Sequence, residues 1–403
     1  VWPLLKEYLK TNQLASRFNR RMEEFPRWRN LKHISGATNI DYSEDQTFVD
    51  ILKSALPCLV QLVPSDSGFV QAIRALQKIQ VMLGLDVTTH SRLQYLRELL
   101  VEYEKCTEKQ TEKHDKSFNY LKHHFLSHAI QNFEDKGTSR NQNTRVGEGF
   151  QQEVSAMYQI TNGKNAEHQM ALIDENEETM ARLDMHVDTW KKSQKVEDEL
   201  IPSPNPASWD HWSLGAPDKR ISPYALESKE HKNPLFRNFN MKLREYLARH
   251  HPSHSIRLED DLEILPCKAL YVDFQSTVTW KSQRDVLRCN SSFHNRPRYD
   301  SVIYDAEDDP LAMGELALVF RCFLPNRHTL DLAMIRPFRS STWHPKTRTD
   351  CPIRERKSGV MFIALEHVVR GALLCPIFGA SREAFYVIDC IDEDMFLRLH
   401  GIK

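Results

Sequence analysis

The sequence predicts an α+β protein: a predominantly helical N-terminal half, followed by a small C-terminal β domain of barrel-like character. Three observations carry this expectation. Apolar residues recur at helical spacing through the first 115 residues and again between 165 and 192. A Pro-, Ser- and Trp-rich stretch at 201–217 then interrupts the pattern. Beyond Leu265, short β-branched and aromatic runs alternate with turn residues.

Along the helical half, Phe48, Ile51, Leu52 and Leu56 fall on one face, and Pro57 should kink or end that helix, because proline lacks the N–H and crowds the preceding turn. Phe69, Ile73, Leu76 and Leu83 repeat the spacing after a candidate cap at Asp66, and Leu93, Leu96, Leu100 and Tyr103 do so after Thr88 and Thr89. Short connections favour antiparallel packing of these helices. The segment 106–115 is polar almost throughout and is expected at the surface. Between 165 and 192, Met170, Ile173, Met180, Leu183, Val187 and Trp190 form one stripe opposite an acidic run. Such a stripe is either core or a seam for a protein partner, and core is the default.

The stretch at 201–217 reads as a boundary, with one short helix at 234–249 that starts at a proline, where a missing N–H costs nothing. Short strands are expected at 269–274, 300–304, 316–323, 329–335, 360–365, 371–376 and 385–390, and a lid helix at 392–399. Regular short strands suggest a small barrel or a strongly twisted sheet. The resulting division is 1–115, 116–199, 200–264 and 265–403.

Composition narrows the function classes. At 403 residues, with 40% hydrophobic and 27% charged residues, the chain is expected to be globular with several domains. No run of 18 apolar residues occurs, so no transmembrane helix is expected, and no secretory signal opens the chain. The first residues, Val1 to Leu9, read as mid-domain helix, so a longer ancestor is expected. The formal net charge of -1 gives no global case for nucleic acid; any such contact must be local. Eight scattered cysteines without a CxxC pair imply a reducing compartment, cytoplasm or nucleus. P-loop, GxGxxG and GxSxG motifs are absent from the sequence.

Three constellations remain. His124 and His128 stand at i and i+4 in LKHHFLSH, beside His123, where one helix face could present both to a metal; no HExxH glutamate and no third ligand follow from the sequence, so helix-surface or core histidines that satisfy polar neighbours are the expected reading and no metal site is expected. Glu148, between Gly147 and Gly149 at the head of a helix, either complements the helix dipole or contributes one carboxylate to a cation site. Two basic stretches interleave cations with aromatics or loops. The first carries Arg17, Arg20, Arg21, Arg27, Arg29 and Lys32 around Phe18, Phe25 and Trp28; the second carries Arg339, Lys346, Arg348, Arg354, Arg356 and Lys357. Cations with aromatics pair phosphates and stack bases, though solvated helix faces share the pattern.

The block FNYLKHHFLSHAIQNFEDKGTSRNQNTRVGEGFQQEVSAMYQITNGKNAEHQM resembles the late part of fungal Plavaka and related CACTA-like (Kyakuja–Dileera–Zisupton) transposases. Their pattern there is a "K.H...H" helix, then "G....NTE..E..H", then "Y..TN.KN...QM". Residues 1–31 resemble the segment after that family's second catalytic aspartate, and the tail from Tyr271 its closing β domain. The resemblance implies an RNase H-like core with 1–115 as a helical insertion, a magnesium-dependent ancestral activity, and Glu148 matching a glutamate of the motif. Arg145 stands where the family has Glu, and Gln151 where it has His. The family's two aspartates have no counterpart here. The expectation is therefore a transposase-derived chain without catalytic activity of its own and with no cofactor, retaining DNA binding through the two basic stretches. The alternatives are a protein-interaction module docking through 170–190, or a passenger reading frame.

Overall fold

A computed structural model describes residues 1–64, 68–114, 118, 121–141, 154–198, 211–252, 261–293, 296–325, 327–340, 351–379 and 383–402. The chain divides into two compact units, one formed by Val1–Thr138 with Asp210–Lys403, the other by Ser139–Trp209.

In the first unit, seven helices come first: α1 (Trp2–Thr11), α2 (Ala15–Glu24), α3 (Asp45–Leu59), α4 (Phe69–Leu83), α5 (His90–His114), α6 (Leu121–Ser127) and α7 (Ala129–Lys136). Pro57 lies in the last turn of α3, which ends two residues later. The cap of α4 is Gly68, whose φ of 72° suits a residue without Cβ; Asp66 lies outside the described residues. Thr89 Oγ1 accepts from the Arg92 N–H at the start of α5. Helix α5 runs through the polar segment expected at the surface, and there Cys106 and Thr107 are buried, because they share the inward face with Leu96, Leu99 and Tyr103.

The strands that follow are β1 (Trp212–Leu214), β2 (Glu263–Cys267), β3 (Ala269–Gln275), β4 (Ser282–Phe293), β5 (Arg296–Tyr299), β6 (Ser301–Ala306), β7 (Asp309–Phe323), β8 (Thr329–Ser340), β9 (Ile353–Arg356), β10 (Met361–Ala364), β11 (Val368–Ala372), β12 (Leu374–Pro376) and β13 (Ala384–Val387). They form two open sheets. One has the order β1-β3-β4-β5; the larger has the order β11-β6-β7-β8-β9-β13-β12, with β2 also on β7 and β10 also on β8. The barrel expected from strand spacing is thus not formed: neither sheet closes on itself.

The reason lies in β7 and β8, which pair antiparallel along most of their length. Alternate residues serve two cores. Leu316, Val319, Ala333 and Ile335 face one that includes Leu5, Leu9, Phe18 and Leu59 of the N-terminal helices. Phe320, Cys322, Leu332 and Met334 face another built with Phe239, Leu243 and Leu247 of the helix Phe239–His250. Both faces are covered, so the sheet needs no enclosed interior, and its strands read as continuous apolar runs. The same packing places residues 1–115 and 265–403 around one core rather than in the separate domains their sequence patterns suggested.

The C-terminal helix, Glu393–His400, begins where the sequence placed it, with Asp392 accepting from the Met395 N–H at 2.8 Å. Buried charges fasten it. Arg370 on β11 is fully buried and donates to Asp392 at 2.7 Å and to Asp394 at 2.6 Å. Asp285 on β4 accepts from the Gly371 N–H at 2.9 Å. A Cβ at Gly371 would come within 2.8 Å of the Trp28 ring and 2.6 Å of Leu287, so only glycine permits this approach. Arg74 of α4 grips Asp389 with two hydrogen bonds, and the His400 ring nitrogen stands 2.7 Å from the same carboxylate.

In the second unit, Asn162 Oδ1 accepts from the Lys164 N–H and the Gln169 side chain, an Asx-type turn that leads into the helix Ala166–Asp198. The stripe expected as core is not buried: Met170 and Ile173 are half-buried, and Met180, Leu183, Val187 and Trp190 are exposed.

Candidate nucleic-acid interface

The two basic stretches meet different fates. In the first, the register of α2 separates inward from outward cations: Phe18, Arg21 and Met22 point into the core while Arg17 and Arg20 are exposed. Arg21 donates to the carbonyls of Cys58 at 3.0 Å and Val60 at 2.6 Å and lies over the Phe378 ring. It ends the α3 chain reversal rather than meeting a ligand. Arg29 bonds to the Arg284 carbonyl and pairs with buried Asp285 at 2.5 Å. The Lys32 backbone N–H donates to Asp50, and its ammonium to Thr47 at 3.3 Å. Arg27 is exposed and makes no ion pair among the described residues.

Arg27 lines a cleft of about 510 Å³ between the segment following α2 and the β4–β5 hairpin. Glu23, Glu24, Phe25 and His33 line one wall; Phe293, Arg296, Arg298, Tyr299 and Asp300 line the other. Pairing of β4 with β5 sets Phe293 opposite Arg296 and Asn290 opposite Arg298. Arg298 is held by two bonds to buried Asp300, at 2.8 and 3.0 Å, and its guanidinium and that of Arg288 both lie over the Phe293 ring. Burial raises the Asp300 carboxyl, while Arg298 opposes that rise. Arg296 is exposed and makes no ion pair among the described residues. The His33 ring registers the local field: burial, then Arg27 and Arg296, lower its proton affinity, with Glu23 only partly offsetting them. Two guanidiniums without ion pairs among the described residues thus face one cleft from opposite walls beside an exposed Tyr299 ring, an arrangement suited to a phosphate and an adjoining planar group.

The second stretch is largely neutralised. Arg339 pairs with Glu355 at 2.9 Å. Arg356 pairs with Glu315 at 2.7 Å, stands 3.7 Å from Glu383, and lies over the Phe385 ring. Arg354 bonds to the Ser340 hydroxyl. Lys357 is exposed, and its backbone N–H donates to the Pro337 carbonyl. Lys346, Arg348 and Glu148 lie outside the described residues.

Elsewhere, His124 and His128 do share a face, with their Nε2 atoms 3.1 Å apart, while the His123 ring packs edge-on against Tyr103 and Phe118. No group of three or more His, Cys, Asp or Glu side chains disposed to hold a metal occurs among the described residues. No helix among them is long and apolar enough to cross a membrane. The described cysteines are free thiols, and burial raises those of Cys58, Cys289 and Cys375.

Sequence reasoning did not single out His33, Phe293, Arg296, Arg298 or Tyr299. The signal was present in 288–299, RCNSSFHNRPRY, where cations and aromatics interleave as they do in the first stretch. Comparison with protein-family models, with curated proteins and with solved structures finds no match to this chain.

Proposed function

We propose that this chain is a transposase-derived DNA-binding protein that holds the phosphate backbone in the cleft between Arg27 and the β4–β5 hairpin, and that it does not cut strands by itself. The observation that carries this reading is the convergence of Arg27 and Arg296, without ion pairs among the described residues, beside Tyr299. Guanidiniums left without carboxylate partners at a concave surface favour a bidentate oxyanion. Arg17 and Arg20, exposed on the neighbouring helix, extend the same charge along α2.

The transposase origin rests on the resemblance of the central block to the fungal elements. For the intact family, magnesium would be the cofactor; the described side chains provide no group of three or more carboxylates, histidines or cysteines disposed to hold it. Binding needs no such group, only phosphate contact. A nuclear location follows from this reading, since that is where the ligand resides.

The test is fluorescence anisotropy with a labelled oligonucleotide at rising salt. Each phosphate contact contributes a slope of roughly 0.9 in log K against log salt on duplex DNA. Wild-type protein should show steep salt dependence, and Arg27→Ala with Arg296→Ala should lower the slope by about 2. Salt-independent binding, or a slope the double variant leaves unchanged, rejects the cleft. The rival reading, a protein-docking module, is favoured by the exposed stripe on the helix Ala166–Asp198; it predicts no gel shift at any salt.

A further inference from the structure

We infer that the cleft beside Arg27 reads one unpaired guanine of a single DNA strand, through the carboxylates of Glu23 and Glu24. This rests on the phosphate-holding role proposed above for the same cleft and names the remainder of its ligand.

Two arginines explain only part of the lining. Glu23 and Glu24 are exposed, border the same cleft, and make no ion pair among the described residues. Their position works against the helix that carries them. They are the last two residues of α2, where the carbonyls of a helix end repel an anion. A site for phosphate alone would also be better without them. Carboxylates that help neither the helix nor a phosphate are accounted for by a ligand that brings N–H donors along with its negative charge.

A nucleotide brings both. With a phosphate between Arg27 and Arg296, its base comes within reach of the same walls, and the exposed Tyr299 ring offers that base a stacking face. A carboxylate presents two acceptor oxygens side by side and no donor. Guanine sets two donors side by side, N1–H and the N2 amino group, so one carboxylate takes both. Cytosine and adenine offer a single amino group, next to a ring nitrogen that repels the second oxygen. Thymine offers one N–H between two carbonyls.

The dimensions select the unpaired form. In a duplex, that guanine edge is turned to cytosine and its faces are covered by neighbouring bases. The cleft volume is about 510 Å³, within the range of a small-molecule site. The major groove alone of a duplex is about 12 Å wide. Duplex DNA therefore meets the arginines with its backbone only, whereas a single strand lays a base inside.

Fluorescence anisotropy of the full chain with short labelled strands tests this. One probe is oligothymidine, and a second carries a single central guanine. A third has hypoxanthine there, which lacks only the N2 amino group, and a fourth is the guanine strand paired to its complement. The guanine strand should bind at least about fivefold more tightly than oligothymidine, the discrimination of one bidentate base contact. Hypoxanthine should lose most of that gain, and the duplex should bind more weakly than the guanine strand. Glu23→Gln with Glu24→Gln should bring the guanine and thymidine strands to the same affinity. The hypoxanthine probe alters the ligand alone, so its result holds whether or not a protein variant folds. Equal binding of guanine and thymidine strands overturns the inference, as does hypoxanthine matching guanine, a guanine preference that survives the glutamine variant, or a preference for duplex. If Arg27→Ala with Arg296→Ala still weakens every probe, the phosphate cleft outlives that failure. Binding that ignores the arginines, or no binding to any probe, ends both.

Discussion

The basic stretch at 17–32 and the one at 336–357 look equivalent in sequence, yet they present different surfaces. In the second, β7, β9 and the segment before β13 bring Glu315, Glu355 and Glu383 against Arg336, Arg339 and Arg356, so charges far apart in the chain cancel across the sheet. In the first, helical periodicity turns Arg21 inward and leaves Arg17 and Arg20 facing out, and Arg27, in the segment after α2, is exposed as well. A count of cations therefore says little about potential; what matters is whether the fold brings a carboxylate to each one.

The contrast can be broken at its strongest point first. Arg21→Ala should cost about 2–4 kcal/mol in denaturant unfolding, because it leaves the buried carbonyls of Cys58 and Val60 without donors and removes a packed side chain. An effect below about 0.5 kcal/mol, the usual range for surface sites, would place Arg21 among the outward cations instead.

Glu315→Gln should follow, at about 1–3 kcal/mol, since Arg336 and Arg356 lose their shared counter-charge. The same change should raise affinity for DNA at low salt by unmasking that surface. Unchanged affinity would show that Glu383 alone neutralises both.

Acidity sharpens the comparison further. The His33 ring is held neutral by burial and by Arg27 and Arg296, so its folded pKa lies below the ordinary value near 6.5. The sign follows: the unfolded chain takes the proton first, and this histidine's contribution to stability falls as pH drops through that value. A bound phosphate cancels the field of the two arginines and lets the ring protonate. DNA affinity should therefore rise several-fold between about pH 7.5 and 5.5, and His33→Asn should flatten the profile. A flat wild-type profile would remove the phosphate from the neighbourhood of His33.

The smallest stability effect should come from Arg27→Ala, within about 0.5 kcal/mol, although it weakens binding. A large loss of stability there would mean that Arg27, like Arg21, serves the fold.

Much of the local structure was legible. Helix α4, the start of the C-terminal helix at Asp392 and the β7–β8 strands follow from spacing, although α4 is capped by Gly68. Strand β4 did not announce itself: Ser282–Phe293 is mostly polar, with Asp285, Leu287 and Cys289 the residues turned inward. Its importance comes from its neighbours, which sequence order does not show. The cleft was half legible. The arginine at 27 was in view, but its companion at 296 joins it only through folding. The helix Ala166–Asp198 was read correctly as a helix and incorrectly as core, because periodicity reports a face and not what covers it.

Arg74 and Asp389 are separated by 315 positions, and Leu4 and Leu5 share a core with Met395. During synthesis, the first helices emerge long before the residues that seal them. They must wait with apolar faces bare, through the making of both sheets, until the stretch around 390 arrives. A chain built this way should complete its core late, and products released before that stretch should expose the apolar faces of the early helices.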